Sequence, residues 1–199
     1  MASGTFYPVV EGDDGFWYSA GEQLYTTGFV YIGNVGAPVN VFERMLNVTI
    51  PPGSTIITCK LQLYSFFPLS DVVCNVKIHF NNIGNAIAPT TIEGADALDL
   101  TPAIEWNAIG AWEGNTLYES PELKTIFQPI VDLGGFASGN AVQVVIRDNG
   151  STEEGENGPA CRAFHKGFEG GAYSPGLYVE WEEGPGPEPV SFRPQVIMV

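Results

Sequence analysis

Asn47–Phe66 reads NVTIPPGSTIITCKLQLYSF, two alternating apolar segments on either side of a Pro-Pro-Gly turn. From Thr55 the alternation is clean. Thr55, Ile57, Cys59, Leu61 and Leu63 fall on one face; Ile56, Thr58, Lys60, Gln62 and Tyr64 fall on the other. A period of two with one apolar face marks a half-buried strand. Upstream, the same count puts Phe42, Arg44, Leu46, Val48 and Ile50 on one face. Arg44 breaks that row, so it must be paired inside or stand at the strand's open end. The stretch therefore reads as a hairpin of a β-sandwich, with the Thr55–Leu63 face in the core.

The pattern continues outward. In Val72–Phe80, Val72, Cys74, Val76, Ile78 and Phe80 alternate with Val73, Asn75, Lys77 and His79. Residues 5–10 form a short apolar lead-in, and 23–33 an interrupted strand. A further strand is expected around Ala103–Asn107, and others at 140–148, 160–168 and 176–183. One segment reads as a helix, SPELKTIFQPIVD at 120–132. Ser120 suits the N-cap, Pro121 the first helical position, and Glu122 complements the helix dipole. Leu123, Ile126 and Phe127 make its apolar stripe, and Pro129 is expected to break or kink it early.

Composition agrees with this reading. The 199 residues include 24 Gly, 15 Pro, 4 Trp, 8 Tyr and 12 Phe. Glycine and proline punctuate strands, and aromatics fill pleated faces. The length suits one sizeable β domain. With 8 basic against 23 acidic side chains the net charge is −15. That rules against a nucleic-acid groove, which needs clustered Lys and Arg, and against an anionic membrane surface. No basic-then-apolar leader opens the chain, so no signal peptide is expected. No apolar run approaches the ~20 residues of a membrane span.

The three cysteines, Cys59, Cys74 and Cys161, do not make a disulfide framework. Each reads as a small buried apolar residue. A Cys59–Cys74 bond is the sharper alternative and needs adjacent strands. Zinc is not expected, because neither His79 nor His165 has ligand spacing from a cysteine pair.

After Glu183 the chain changes character. GPGPEP (184–189) suits an extended spacer, and VSFRPQVIMV (190–199) turns apolar. The expected organisation is a sandwich domain over 1–183 and a spacer with an apolar arm over 184–199. An apolar stretch beyond a stiff spacer fits a segment that adds to a neighbouring subunit. Val190, Phe192, Val196, Ile197 and Val199 would be its anchors.

The order of these pieces resembles DNRLRE-type β-sandwich domains. FERMLNVTIPPGSTIITCKLQLYSF is similar to their arginine-containing strand, turn and long strand. WEGN, SPELKTIFQPIVD and GGFASGNAVQVVI follow the same order, and CRAF and PGLYVEW match the closing strands. The resemblance spans roughly residues 10–183 and contains no catalytic motif. It implies a jelly-roll-like antiparallel β-sandwich with one short helix. Such domains serve as modules of secreted carbohydrate enzymes or surface proteins, or stand alone among tailed-bacteriophage structural proteins. The chain departs from the pattern at Pro129 and in carrying the spacer and arm. The second departure favours a subunit of an assembly.

Sites of chemistry are sparse. His79 and His165 are the only histidines, and no nucleophile elbow, phosphate loop or metalloprotease motif is present. No catalytic residue, metal or cofactor is expected, so the protein reads as a non-enzyme. Structural calcium is the one cation alternative, with oxygens from Asp13, Asp14, Asp148, Glu153, Glu154, Glu156 and Asn157. Arg44, Arg147 and Arg162 read as buried ties paired with carboxylates. Phe16, Trp17 and Tyr18 follow a turn and are the candidate carbohydrate platform, unless Trp17 instead staples the N-terminal loop to the sandwich.

The expectation is a capsid decoration (auxiliary head) protein of a tailed phage, made in the host cytoplasm and resident in the virion. Its partners would be the major capsid protein or other virion subunits, and its own copies in a homo-oligomer. Neither nucleic acid nor membrane is an expected partner. The alternative is a carbohydrate-binding module or receptor-binding tail component.

Overall fold

The computed structural model describes residues 1–19, 23–26, 29–66, 73–151 and 173–184, together with the backbone of 161–164. The strands are β1 (Ala2–Phe6), β2 (Asp14–Tyr18), β3 (Val30–Asn34), β4 (Pro38–Val48), β5 (Thr55–Tyr64) and β6 (Cys74–Phe80). After them come β7 (Ile104–Ile109), β8 (Leu117–Glu119), β9 (Asn140–Asp148), β10 (Cys161–Phe164) and β11 (Gly176–Glu182). Two helices intervene, α1 (Ile92–Asp96) and α2 (Lys124–Val131). One sheet has four strands in the order β1-β11-β5-β8. The other has seven, β10-β3-β4-β9-β6-β7, with β2 also paired to β4. Every strand pairing is antiparallel. The protein is an all-β sandwich with short helices, and the chain passes repeatedly from one sheet to the other.

The Pro-Pro-Gly stretch is where the structure first departs from the expected hairpin. β4 belongs to the seven-stranded sheet and β5 to the four-stranded one. The turn is a corner between sheets. Ser54 N–H donates to the Pro51 carbonyl at 3.2 Å. Pro52 then occupies the first central position, and Gly53 has φ +75°. A positive φ at the second central position is the type II requirement, and glycine meets it without strain. A turn of this form does not match the twist of a paired hairpin.

Two bulges reset the faces. Met45 pairs with Val142 and Val48 with Asn140, so β4 carries one extra residue there. Asn47 sits at φ 51° within it. Before the bulge the core face is Val39, Val41 and Met45, while Phe42 and Arg44 point outward; after it Val48 and Ile50 turn in. The single row Phe42–Ile50 is thus corrected, since one inserted residue inverts a period of two. In β5, Thr58 pairs with Glu180 and Ile56 with the adjacent Trp181. Ile56 is therefore buried in place of Ile57, whereas Cys59, Leu61 and Leu63 face the core as expected. In β6 the core row of Cys74, Val76, Ile78 and Phe80 is fully buried.

The segment before α2 also differs. The helix begins at Lys124, and Leu123 precedes it without a side-chain cap. Ser120 Oγ instead accepts the Leu61 N–H at 3.0 Å, and Glu122 Oε1 accepts the Cys59 N–H at 2.7 Å. Farther along, Gln128 Oε1 accepts the Ile56 N–H at 2.7 Å. β8 covers β5 only at Gln62–Tyr64, so these side chains serve the rest of that strand edge. An uncovered edge would offer unpaired backbone groups to other chains. Pro129 lies inside α2, which continues to Val131. Burial of Ile126, Phe127, Ile130 and Val131 against the core holds the helix across the lost N–H.

Residues 81–101 make an excursion over the outer face of the larger sheet, and α1 lies within it. Thr91 caps α1, its Oγ1 accepting the Gly94 N–H at 3.1 Å. Ala95 packs there with Trp17, Phe42 and Val145 as a second, smaller core. Gly84 anchors the excursion: a Cβ at this position would stand 2.3 Å from the Gly135 carbonyl carbon.

Candidate functional site

The aromatic stretch after the first turn forms no platform. Trp17 lies on β2 facing outward, but the 81–101 excursion covers it completely. Its Nε1–H donates to Asp96 Oδ1 at 3.0 Å. Phe16 faces the main core and stacks on Tyr25 at 5.0 Å between centroids, and Tyr18 is half-buried beside them. A sugar has no access to the face of a fully buried ring, so the Phe16–Trp17–Tyr18 platform is corrected. The tryptophan is a staple, holding α1 to the sheet.

Cys59 and Cys74 both face the main core but stand on β5 and β6, which belong to different sheets. They are not bonded to each other. Cys74 Sγ lies 3.7 Å from the Ile32 carbonyl as a donor. Burial, with Glu122 nearby, pushes the Cys59 thiol well above its ordinary range. Both are structural apolar residues in a setting where the reactive thiolate is disfavoured.

Arg44 lines an open, largely apolar groove. Its Nη1 donates to Asp13 Oδ1 at 2.6 Å, and its Nε to the Ala86 carbonyl at 2.8 Å. Asp13 Oδ2 in turn accepts from the N–H groups of Val9 and Val10. One guanidinium therefore ties the 7–13 segment to the 81–101 excursion. Between those two walls lies a groove of about 500 Å³, with Val10, Leu24, Ile87 and Pro89 among its apolar lining and Arg44 beneath. Ile87 is 78% exposed, Val9 57% and Val10 50%. Ile87 also borders a second hollow of about 330 Å³ that reaches Ile83 and Leu98. Exposed apolar side chains gathered along a groove make this the candidate interaction surface. The alternation count marked Arg44 only as a charge to be paired inside or left at the strand's open end; the groove was not readable, because Ile87 sits in a segment without periodicity.

The other candidates separate. Asp13 is committed to Arg44, while Asp14 lies within β2 opposite Glu43. Asp148 caps its own turn, accepting from the N–H groups of Gly150 and Ser151. No group of three or more His, Cys, Asp or Glu could hold a metal ion among the described residues. Glu153, Glu154, Glu156, Asn157, His165 and the arm Val190, Phe192, Val196, Ile197 and Val199 lie outside the described residues, as do the side chains of Cys161 and Arg162. His79 Nδ1 lies 2.8 Å from the Thr101 carbonyl, so it carries the proton. Arg147 makes no ion pair among the described residues, which corrects its reading as a carboxylate tie.

Sequence reasoning missed one aromatic group. Trp106 on β7, Trp112 and Tyr118 on β8 close the gap between the sheets at one side of the sandwich. Trp112 stacks on Tyr118 at 4.6 Å and is buried, whereas Trp106 and Tyr118 remain half-exposed. No helix among the described residues is long and apolar enough to cross a membrane. No protein-family model matches the chain, and no curated protein matches it.

Proposed function

We propose that this protein is a non-enzymatic structural subunit of a tailed-bacteriophage virion, with decoration of the outer capsid shell as its role. The observation that carries the reading is the groove between Val10 and Ile87, where two strongly exposed apolar side chains stand beside the Arg44–Asp13 ion pair. A shell subunit or a neighbouring copy would bury that surface. The resemblance to DNRLRE-type domains fits a phage structural protein as well as a carbohydrate module, and the Gly-Pro spacer with its apolar stretch favours the first. The spacer and apolar arm at 184–199 would add a second contact, with Phe192, Val196 and Ile197 as anchors.

Co-sedimentation with shells assembled from the major capsid protein of the same phage tests this. The intact chain should bind to saturation, Ile87→Asp should bind at least tenfold more weakly, and deletion of 184–199 should leave a folded domain that no longer decorates. Absence of binding by the intact chain, or undiminished binding by both variants, would sink the proposal.

Carbohydrate binding is the second reading, favoured by the half-exposed Trp106 and Tyr118 beside exposed Glu105 and Glu119. Saturable tryptophan quenching by a glycan that is lost in Trp106→Ala would support it over the first.

A further inference from the structure

Lys77 on β6 stands directly opposite Arg147 on β9, and His79 lies two residues along the same face. Directly opposed residues have Cβ atoms about 5 Å apart, and like charges there repel. Both cations are half-buried, where water screens the repulsion less. Neither side chain has a hydrogen bond or ion pair among the described residues, whose ion pairs are Arg44–Asp13 and Lys60–Glu119. Arg147 Nε is shut away from solvent without an acceptor. Two carboxylates on this side of the sheet each hold another partner. Glu105, opposite Lys77 on β7, accepts from Asn107 Nδ2 at 2.8 Å, and Asp96 accepts from Trp17.

Composition makes this placement unusual. A chain with 23 acidic and 8 basic side chains has ample carboxylates to neutralise a pair of cations. The fold instead sets two of its few cations side by side. Burial lowers the His79 pKa, and repulsion by Arg147 and Lys77 lowers it further. Three cationic or proton-accepting groups thus share one face, and the Glu105 carboxylate at its edge, beyond Lys77, accepts from Asn107 and forms no ion pair with them.

We infer that Lys77, Arg147 and His79 form an oxyanion-binding subsite on the outer face of the larger sheet, taking a phosphate, sulfate or carboxylate group. Two or more acceptor oxygens would bridge the opposed cations and turn their mutual repulsion into shared attraction. This inference stands independently of the virion reading and of the groove.

The test titrates the full chain with inorganic phosphate, sulfate and acetate against chloride at equal ionic strength. Thermal midpoint and the His79 imidazole resonance, assigned with His79→Gln, are the readouts. Any of the three oxyanions should raise the midpoint and move the His79 titration upward, because a bound anion favours the imidazolium. Response to acetate identifies carboxylate recognition, as from a neighbouring subunit; response to phosphate and sulfate alone identifies a tetrahedral ion. The K77Q/R147Q variant should lose both responses and, in chloride, be at least as stable as the parent. Silence of the parent toward all three oxyanions, unchanged responses in the variant, or marked instability of the variant in chloride would overturn the inference.

Discussion

Arg44 shows how one residue joins two distant segments. It breaks an apolar row, and a charge in such a position must be paired or exposed. It is paired: Asp13, only 1% exposed, takes one nitrogen, and the Ala86 carbonyl takes another. Substituting Arg44→Met keeps the stem but leaves the Asp13 carboxylate buried and uncompensated. We expect a loss of about 2–4 kcal/mol in urea unfolding, below the range for fully buried pairs because Arg44 is partly exposed. An unchanged midpoint would mean that the tie contributes nothing. Trp17 teaches the opposite lesson. Its type and its place after a turn suited an exposed platform as well as a staple, and the covering α1 makes it a core residue.

At the scale of elements, local pattern identified strands better than it identified their faces. β5 and β6 were legible because alternation runs for several residues without interruption. The face of β4 was not, because the bulge at Asn47 leaves no signal in an otherwise regular count. The SPEL segment carried a convincing helix-start signature, yet Ser120 spends its acceptor on the open edge of β5, and Glu122 divides its own between that edge and the Lys124 N–H that opens α2. Gln128 does the same one turn into the helix, and its Nε2 also donates to the Ser54 carbonyl at 3.0 Å. Replacing Gln128 by Ala should destabilise the protein by about 1–3 kcal/mol. Amide exchange should quicken at Ile56 and not at Leu61, which Ser120 holds. Equal acceleration at both would show that α2 moves as a block and that edge capping is not residue by residue.

For the whole molecule, the consequence of two facing sheets is a sealed interior. Cys59 and Cys74 approach it from opposite sides, and neither has measurable exposure. Near pH 8.5, where an exposed thiol is about half ionised, iodoacetamide should leave both unmodified in the native protein and label both in denaturant. Native labelling of either would mean that the sheets part readily. The candidate site follows the same division of knowledge. Arg44 was visible as an anomaly, but the groove above it needed the 81–101 excursion, and the cationic pair needed the β6–β9 register. The sequence by itself determined the all-β class, the long core strands and the acidic character, since these depend on composition and on a period of two within each strand. Only the tertiary structure decided that the Pro-Pro-Gly stretch is a corner rather than a hairpin, which rings are covered, and which charges meet. Those outcomes depend on contacts between residues far apart in the chain, and bulges and covering loops set them without altering local pattern.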